Sequence, residues 1–130
     1  MTNLINTLRA NLLVRASAAA LLLPGLVLDP VGLQANPSGQ VVVHGHPNVH
    51  FSGLGTANLN IMNNHPVAII NWQTFSINKG ETTNIIQGAN AVTLNRVVSG
   101  NPSEIDGQLN AAAGNVVLIN PNGITVHKGG

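Results

Sequence analysis

Val67-Ala-Ile-Ile-Asn-Trp-Gln-Thr-Phe-Ser-Ile77 is the longest strand-like run in the chain, and its side-chain parity decides the fold. Successive side chains on a strand point to opposite faces. Ile70 and Trp72 therefore share one face, while Phe75 and Ile77 share the other. The flip predicts a bend or bulge near Gln73-Thr74, inside one continuous segment. A chain that coils round a flat-sided core needs a corner of this kind. Further on, Asn120-Pro-Asn-Gly-Ile124 supplies a tight turn. Together they predict an extended sheet structure that works as a surface, not as a catalytic pocket.

Shorter strand-like runs lie on both sides: Gln40–Phe51, interrupted at Pro47-Asn48, then Ala57–Met62, Thr82–Gln87, Ala91–Val98, Glu104–Leu109, Val116–Asn120 and Ile124–His127. Turn chemistry separates them, at Asn63-Asn-His-Pro66, Gly88-Ala-Asn90, Ser99-Gly-Asn-Pro102, Asn110–Gly114 and Pro121-Asn-Gly123. After residue 35 no stretch keeps a helical period. Strands at spacings of about 8–12 residues fit a sandwich, a barrel or a β-solenoid. Low charge and abundant Asn favour the solenoid, with Asn stacking in the turns from one coil to the next. Its expected core holds Ile70, Val92, Leu94, Ile105, Leu109 and Ile119, with Trp72 and Phe75 filling the widest layer. Two Asn-Pro-Ser triplets, 36–38 and 101–103, are turns; proline at the middle position bars glycosylation.

A length of 130 residues allows one domain. The chain is 44% hydrophobic but only 7% charged, where ordinary soluble domains carry about 25% charged residues. Its 14 Gly and 19 Asn suit many tight turns. The absence of cysteine excludes a disulfide scaffold and a cysteine-based metal site. Residues 1–35 differ from the rest. Arg9 and Arg15 precede an apolar stretch, Ala16–Leu28, that is too short to span a membrane and is broken by Pro24-Gly25. With a small residue at Ala35, this segment has the form of a secretory signal peptide with a short apolar helix. Beyond it, Lys79, Arg96 and Lys128 balance Glu81, Glu104 and Asp106. No basic patch remains to hold a nucleic-acid backbone.

Catalytic and metal chemistry find little support. His44 and His46 share a strand face, with His50 close by, but no carboxylate or cysteine accompanies them; a surface polar pair is the better reading. Glu104 and Asp106 also share a strand face, and paired carboxylates can hydrolyse glycosides. Trp72 is the sole aromatic that could hold a sugar, and it sits in an apolar run. A carbohydrate-active β-helix enzyme acting on polysaccharide is thus the alternative reading, not the leading one. No cofactor is expected. Arg96 breaks the alternation of Val92, Leu94 and Val98, and an outward Arg with its stem on the sheet is the simpler explanation.

Four blocks occur in order: Ile69-Ile-Asn-Trp-Gln-Thr-Phe-Ser-Ile-Asn-Lys-Gly-Glu81, Ala91-Val-Thr-Leu-Asn-Arg-Val97, Asn101-Pro-Ser-Glu-Ile-Asp-Gly-Gln-Leu109 and Val117-Leu-Ile-Asn-Pro-Asn-Gly-Ile124. In them residues 36–130 resemble the amino-terminal haemagglutination-activity domain of filamentous haemagglutinins, the exported partners of bacterial two-partner secretion systems. The resemblance implies an all-β, right-handed parallel β-helix with amino-terminal capping strands. It also implies recognition in the periplasm by an outer-membrane transporter, which starts export of the adhesin. The product would be secreted or held at the surface of a Gram-negative cell, where a host or cell-surface ligand is a further partner. The family's Asn-Pro-Asn-Gly motif falls on Asn120, Pro121, Asn122 and Gly123, with Pro121 setting the first corner of a type I-like turn and Gly123 the permissive position. Asn71, Trp72 and Arg96 are secondary candidates for transporter contact. A second family motif, Asn-Pro-Asn-Leu, is absent; His46-Pro-Asn-Val49 comes nearest and inherits no role. Family members continue for many more coils, so the expectation is a domain truncated at its carboxyl end, as a fragment or as a stand-alone remnant.

Overall fold

The computed structural model describes residues 36–130, and the expected signal peptide with its helix lies outside them. Ten strands occur there, with no helix among the described residues: β1 Val41–His44, β2 Val49–Ser52, β3 Asn58–Asn63, β4 Val67–Trp72, β5 Thr82–Gln87, β6 Val92–Val97, β7 Ser103–Ile105, β8 Gln108–Ala111, β9 Asn115–Ile119 and β10 Ile124–Val126. They form three sheets, ordered β1-β4-β6-β9, β2-β3-β5-β8 and β10-β7. From β3 onward the chain visits the sheets in rotation and returns to each in the same order.

From β3 onward every ladder is parallel. Asn58 pairs with Thr82, and Thr82 with Gln108; Val67 pairs with Val92, and Val92 with Asn115. On the third side Ile77 bridges Ile105 and Ser103 pairs with Ile124. Residues 38–52 meet the first coil antiparallel on two sides and at the corner that follows, through β1 on β4, β2 on β3 and the Ser38–Thr74 bridge. The first coil's edge is thereby paired instead of being left open to other chains.

The corner expected at Gln73-Thr74 is present. β4 stops at Trp72, the chain bends at Gln73, and Thr74 bridges back to Ser38. Trp72 and Phe75 are both fully buried despite their opposite parity. They meet edge to face with ring centroids 5.5 Å apart, and Phe51 meets Trp72 the same way at 5.9 Å. Such contacts add to what burial contributes. The expected run Glu104–Leu109 is two strands, β7 and β8. Gly107 makes the corner between them, where an added Cβ would strike the carbonyl oxygens of Asn78 and Glu81.

Three of the eight expected core residues are placed differently. Ile70, Trp72, Phe75 and Ile105 are buried, and Leu109 packs against the core from its edge. Val92 and Leu94 face outward, and Ile119 is 42% exposed. On β6 the inward positions belong to Thr93, Asn95 and Val97. On β9 they belong to Val116 and Leu118. The polar inward residues are tolerated because each is hydrogen-bonded. Trp72 Nε1 donates to Asn95 Oδ1 at 2.9 Å, and Asn95 Nδ2 donates to the Val117 carbonyl at 3.4 Å, so one amide ties three successive coils. Thr93 Oγ1 accepts from Asn63 Nδ2 at 3.0 Å and donates to Gln87 Oε1 at 2.7 Å.

A second column runs on the outer face of the other sheet. Asn110 Nδ2 donates to Asn84 Oδ1 at 3.1 Å, Asn84 Nδ2 to Asn60 Oδ1 at 2.9 Å, and Asn60 Nδ2 to Ser52 Oγ at 3.2 Å. Asparagine stacking was expected in the turns; this ladder lies along the strands, because the coil register brings residues 60, 84 and 110 opposite one another.

Asn95 is the most consequential of the interior amides. Replacing it with Leu keeps the branched shape but leaves the Trp72 indole N–H buried without an acceptor, a loss of about 1–3 kcal/mol. Denaturant titration of Asn95→Leu is expected to show the midpoint falling accordingly. An unchanged midpoint would mean that this hydrogen bond does not hold the interior.

Candidate functional site

Pro121 has no N–H and a fixed φ, which suits it to the first central position of a type I turn. Gly123 N donates to the Asn120 carbonyl at 3.0 Å and closes that turn. No residue other than glycine has positive φ among the described residues, so Asn122 is not left-handed and the turn is type I. Gly123 itself has φ of +106°. An added Cβ there would meet nothing within 4 Å, so its glycine requirement is conformational and not steric.

Asn120 faces inward and is 9% exposed. Its Oδ1 accepts from Asn122 N at 2.9 Å, and its Nδ2 donates to the Asn101 carbonyl at 2.8 Å and to Ser103 Oγ at 2.9 Å. Asn122 Nδ2 donates to the Ser99 carbonyl at 2.8 Å. The motif is therefore seated on the preceding coil's turn, the one holding the second Asn-Pro-Ser triplet. That turn is seated in its own way on the Gln73 corner: Ser99 Oγ and Asn101 Nδ2 both donate to the Gln73 carbonyl. Gln73 N donates in turn to the Ser38 carbonyl, in the first Asn-Pro-Ser triplet, and Ser38 Oγ lies 2.8 Å from Thr74 Oγ1. Ser38, Gln73-Thr74, Ser99–Ser103 and Asn120–Gly123 thus form one column of corners.

The secondary candidates fall on both sides of one sheet. Trp72 is buried inside, bonded to Asn95. Asn71 and Arg96 lie opposite one another on the outer face, where Arg96 Nε donates to Asn71 Oδ1 at 2.8 Å. The structure does not bring this pair to the Asn120–Gly123 turn by any hydrogen bond among the described residues. Reading the sequence missed Asn60, Asn84 and Asn110, whose separations of 24 and 26 residues carried the signal.

His44 packs against His65 with ring centroids 5.3 Å apart, not against His46. Among the described residues no group of three or more metal-ligating side chains comes together. Glu104 is engaged with His127, whose Nε2 lies 2.7 Å from Glu104 Oε1 on the exposed third side. That hydrogen bond raises the His127 pKa above 6.5; desolvation opposes it, and the nearby charges of Asp106 and Glu104 add to the rise.

Two measurements follow from this geometry. Gly123→Val forces a β-branched residue to positive φ and is expected to cost about 1–2 kcal/mol in thermal or chemical denaturation. For His127 the charged form is favoured in the folded chain, so its contribution to stability is full below pH 6.5 and is lost as pH rises through the raised value. NMR titration is expected to place the His127 midpoint above 6.5, and Glu104→Gln to return it toward that value.

A family model described as the TPS secretion domain matches residues 33–130. The heme/hemopexin-binding protein of Haemophilus influenzae (strain ATCC 51907 / DSM 11121 / KW20 / Rd) is 39% identical over 94 residues, covering 72% of this chain and 10% of that protein. A second heme/hemopexin-binding protein from Haemophilus influenzae is 41% identical over 63 residues, covering 48% of this chain and 7% of that protein. The chain therefore spans a tenth or less of the length of these relatives. The crystal structure of the HMW1 secretion domain from Haemophilus influenzae superposes with a TM-score of 0.62 at 38% identity, over 72% of this chain and 24% of that one. With its sheets, its corner column and this match over residues 33–130, the chain belongs to the TPS secretion domain family of two-partner secretion exoproteins.

Proposed function

We propose that this chain is the export-initiating module of a filamentous haemagglutinin-like adhesin, recognised in the periplasm by the periplasmic domains of an outer-membrane transporter. Residues 1–35 act as its signal peptide, and the parallel ladders are the first coils of a right-handed β-helix. The observation that carries the reading is the corner column ending at Asn120–Gly123, in a chain of the TPS secretion domain family. A motif locked by Asn120 and Asn122 onto the coil before it sets the strand register beside it. A transporter that recognises folded coils needs that register to be single-valued. Secretion to the medium or the cell surface follows from the pathway, and no cofactor takes part.

Asn122→Ala tests the role of the turn. It removes the hydrogen bond to the Ser99 carbonyl, worth about 1 kcal/mol. Co-expression of the full chain with its transporter is expected to show export and melting temperature falling together. Arrest of export with an unchanged melting temperature would make Asn122 a contact residue and overturn the register role.

A further inference from the structure

Soluble sheets ordinarily turn their apolar side inward, and the sheet β1-β4-β6-β9 does so only in part. Beyond β4 its inner face mixes Thr93 and Asn95 with Val97, Val116 and Leu118, while its outer face carries aliphatic rows. The register places Val67 beside Val92, Ile69 beside Leu94 and Val117, and Asn71 beside Arg96 and Ile119. Val67 is 40% exposed, Val117 38% and Ile119 42%; Ile69, Val92 and Leu94 are half-buried. β1 extends the face, with Val41 opposite Asn71. A contiguous apolar field of this kind marks a contact surface, since isolated exposed aliphatics are ordinary but clusters are not.

Charge narrows the occupant. Arg96 is the one charged side chain on these rows, and the three acids of the described residues, Glu81, Glu104 and Asp106, lie on or beside the third side. Asn71 holds the Arg96 guanidinium by its Nε, and no hydrogen bond among the described residues engages the two Nη groups. An arginine fork fixed at one edge and open at the other suits a carboxylate. We infer that this outer face is where the transporter's periplasmic domains dock, through an apolar patch carrying a carboxylate that meets Arg96. The inference rests on the proposed function and assigns it a surface.

The test uses the full chain and the purified periplasmic domains of its transporter. Val67→Thr with Val117→Thr keeps β-branched shape while removing apolar contact, and Arg96→Glu reverses the charge. Each is expected to weaken binding by about tenfold or more, with melting temperature unchanged. Ile86→Thr, at a 53% exposed aliphatic on the other sheet, is the control and is expected to bind as wild type. Hydrogen exchange on the unmodified complex gives an answer that does not depend on any variant folding. Amides of 92–96 and 115–119 are expected to be protected. Wild-type binding with unaffected face variants and no protection there would overturn the surface assignment alone. Absence of wild-type binding would overturn the proposed function and this inference with it. A concentration-dependent dimer abolished by the same variants would assign the face to a second copy of the chain and overturn the transporter as occupant.

Discussion

Main-chain hydrogen bonds between successive coils constrain everything else in this molecule. Three parallel ladders must be satisfied at once, and the chain between them cannot gain or lose a residue in a strand without turning its side chains over. Along one sheet the coil repeats are 24 and 26 residues, as the asparagine ladder records. The differences between repeats are absorbed at the corners, where Pro, Gly, Ser and Asn accumulate. The corners therefore need their own fastening, and the column from Ser38 to Asn122 provides it by side-chain bonds to the carbonyls of the coil before.

A second consequence is that the interior need not be uniformly apolar. The aliphatic and aromatic core is concentrated in the first coil, around Leu59, Ile61, Ile70, Trp72, Phe75 and Ile77. Further along, Thr83, Thr93, Asn95 and Ser103 take interior places. Burial of such groups is unfavourable unless each is bonded. Here the stack supplies partners at regular intervals, so an inward Asn reaches both neighbouring coils. Charge among the described residues is largely confined to the third side and the carboxyl end, with Arg96 the exception.

Strand placement was legible in the sequence, because turn residues punctuate it: β5 occupies the expected Thr82–Gln87, and the parity flip in Val67–Ile77 marked the corner at Gln73. Which side of a strand faces inward was legible only where the inner side is apolar. On β6 the alternation of Val92 and Leu94 with Thr93 and Asn95 pointed the wrong way, since hydrogen bonds to Trp72 and Asn63 were not visible locally. The turn at Asn120–Gly123 was legible in shape from Pro121 and Gly123. Its partners Ser99, Asn101 and Ser103 lie 17 to 23 residues upstream, and no local pattern names them.

The ladder of Asn60, Asn84 and Asn110 is vectorial. Every amide hands its hydrogen to the coil before it, so the side-chain dipoles add head to tail, and each bond polarises the next. Ser52 receives the last hydrogen at the amino-terminal end, while Asn110 Oδ1 remains an acceptor at the other. A chain supplied amino end first thus meets, at every coil, an acceptor already oriented by those laid down earlier. A chain supplied in the reverse order would meet an oriented donor in its place. The ladder therefore has a polarity, with its open acceptor toward the carboxyl end and its last donor spent on Ser52.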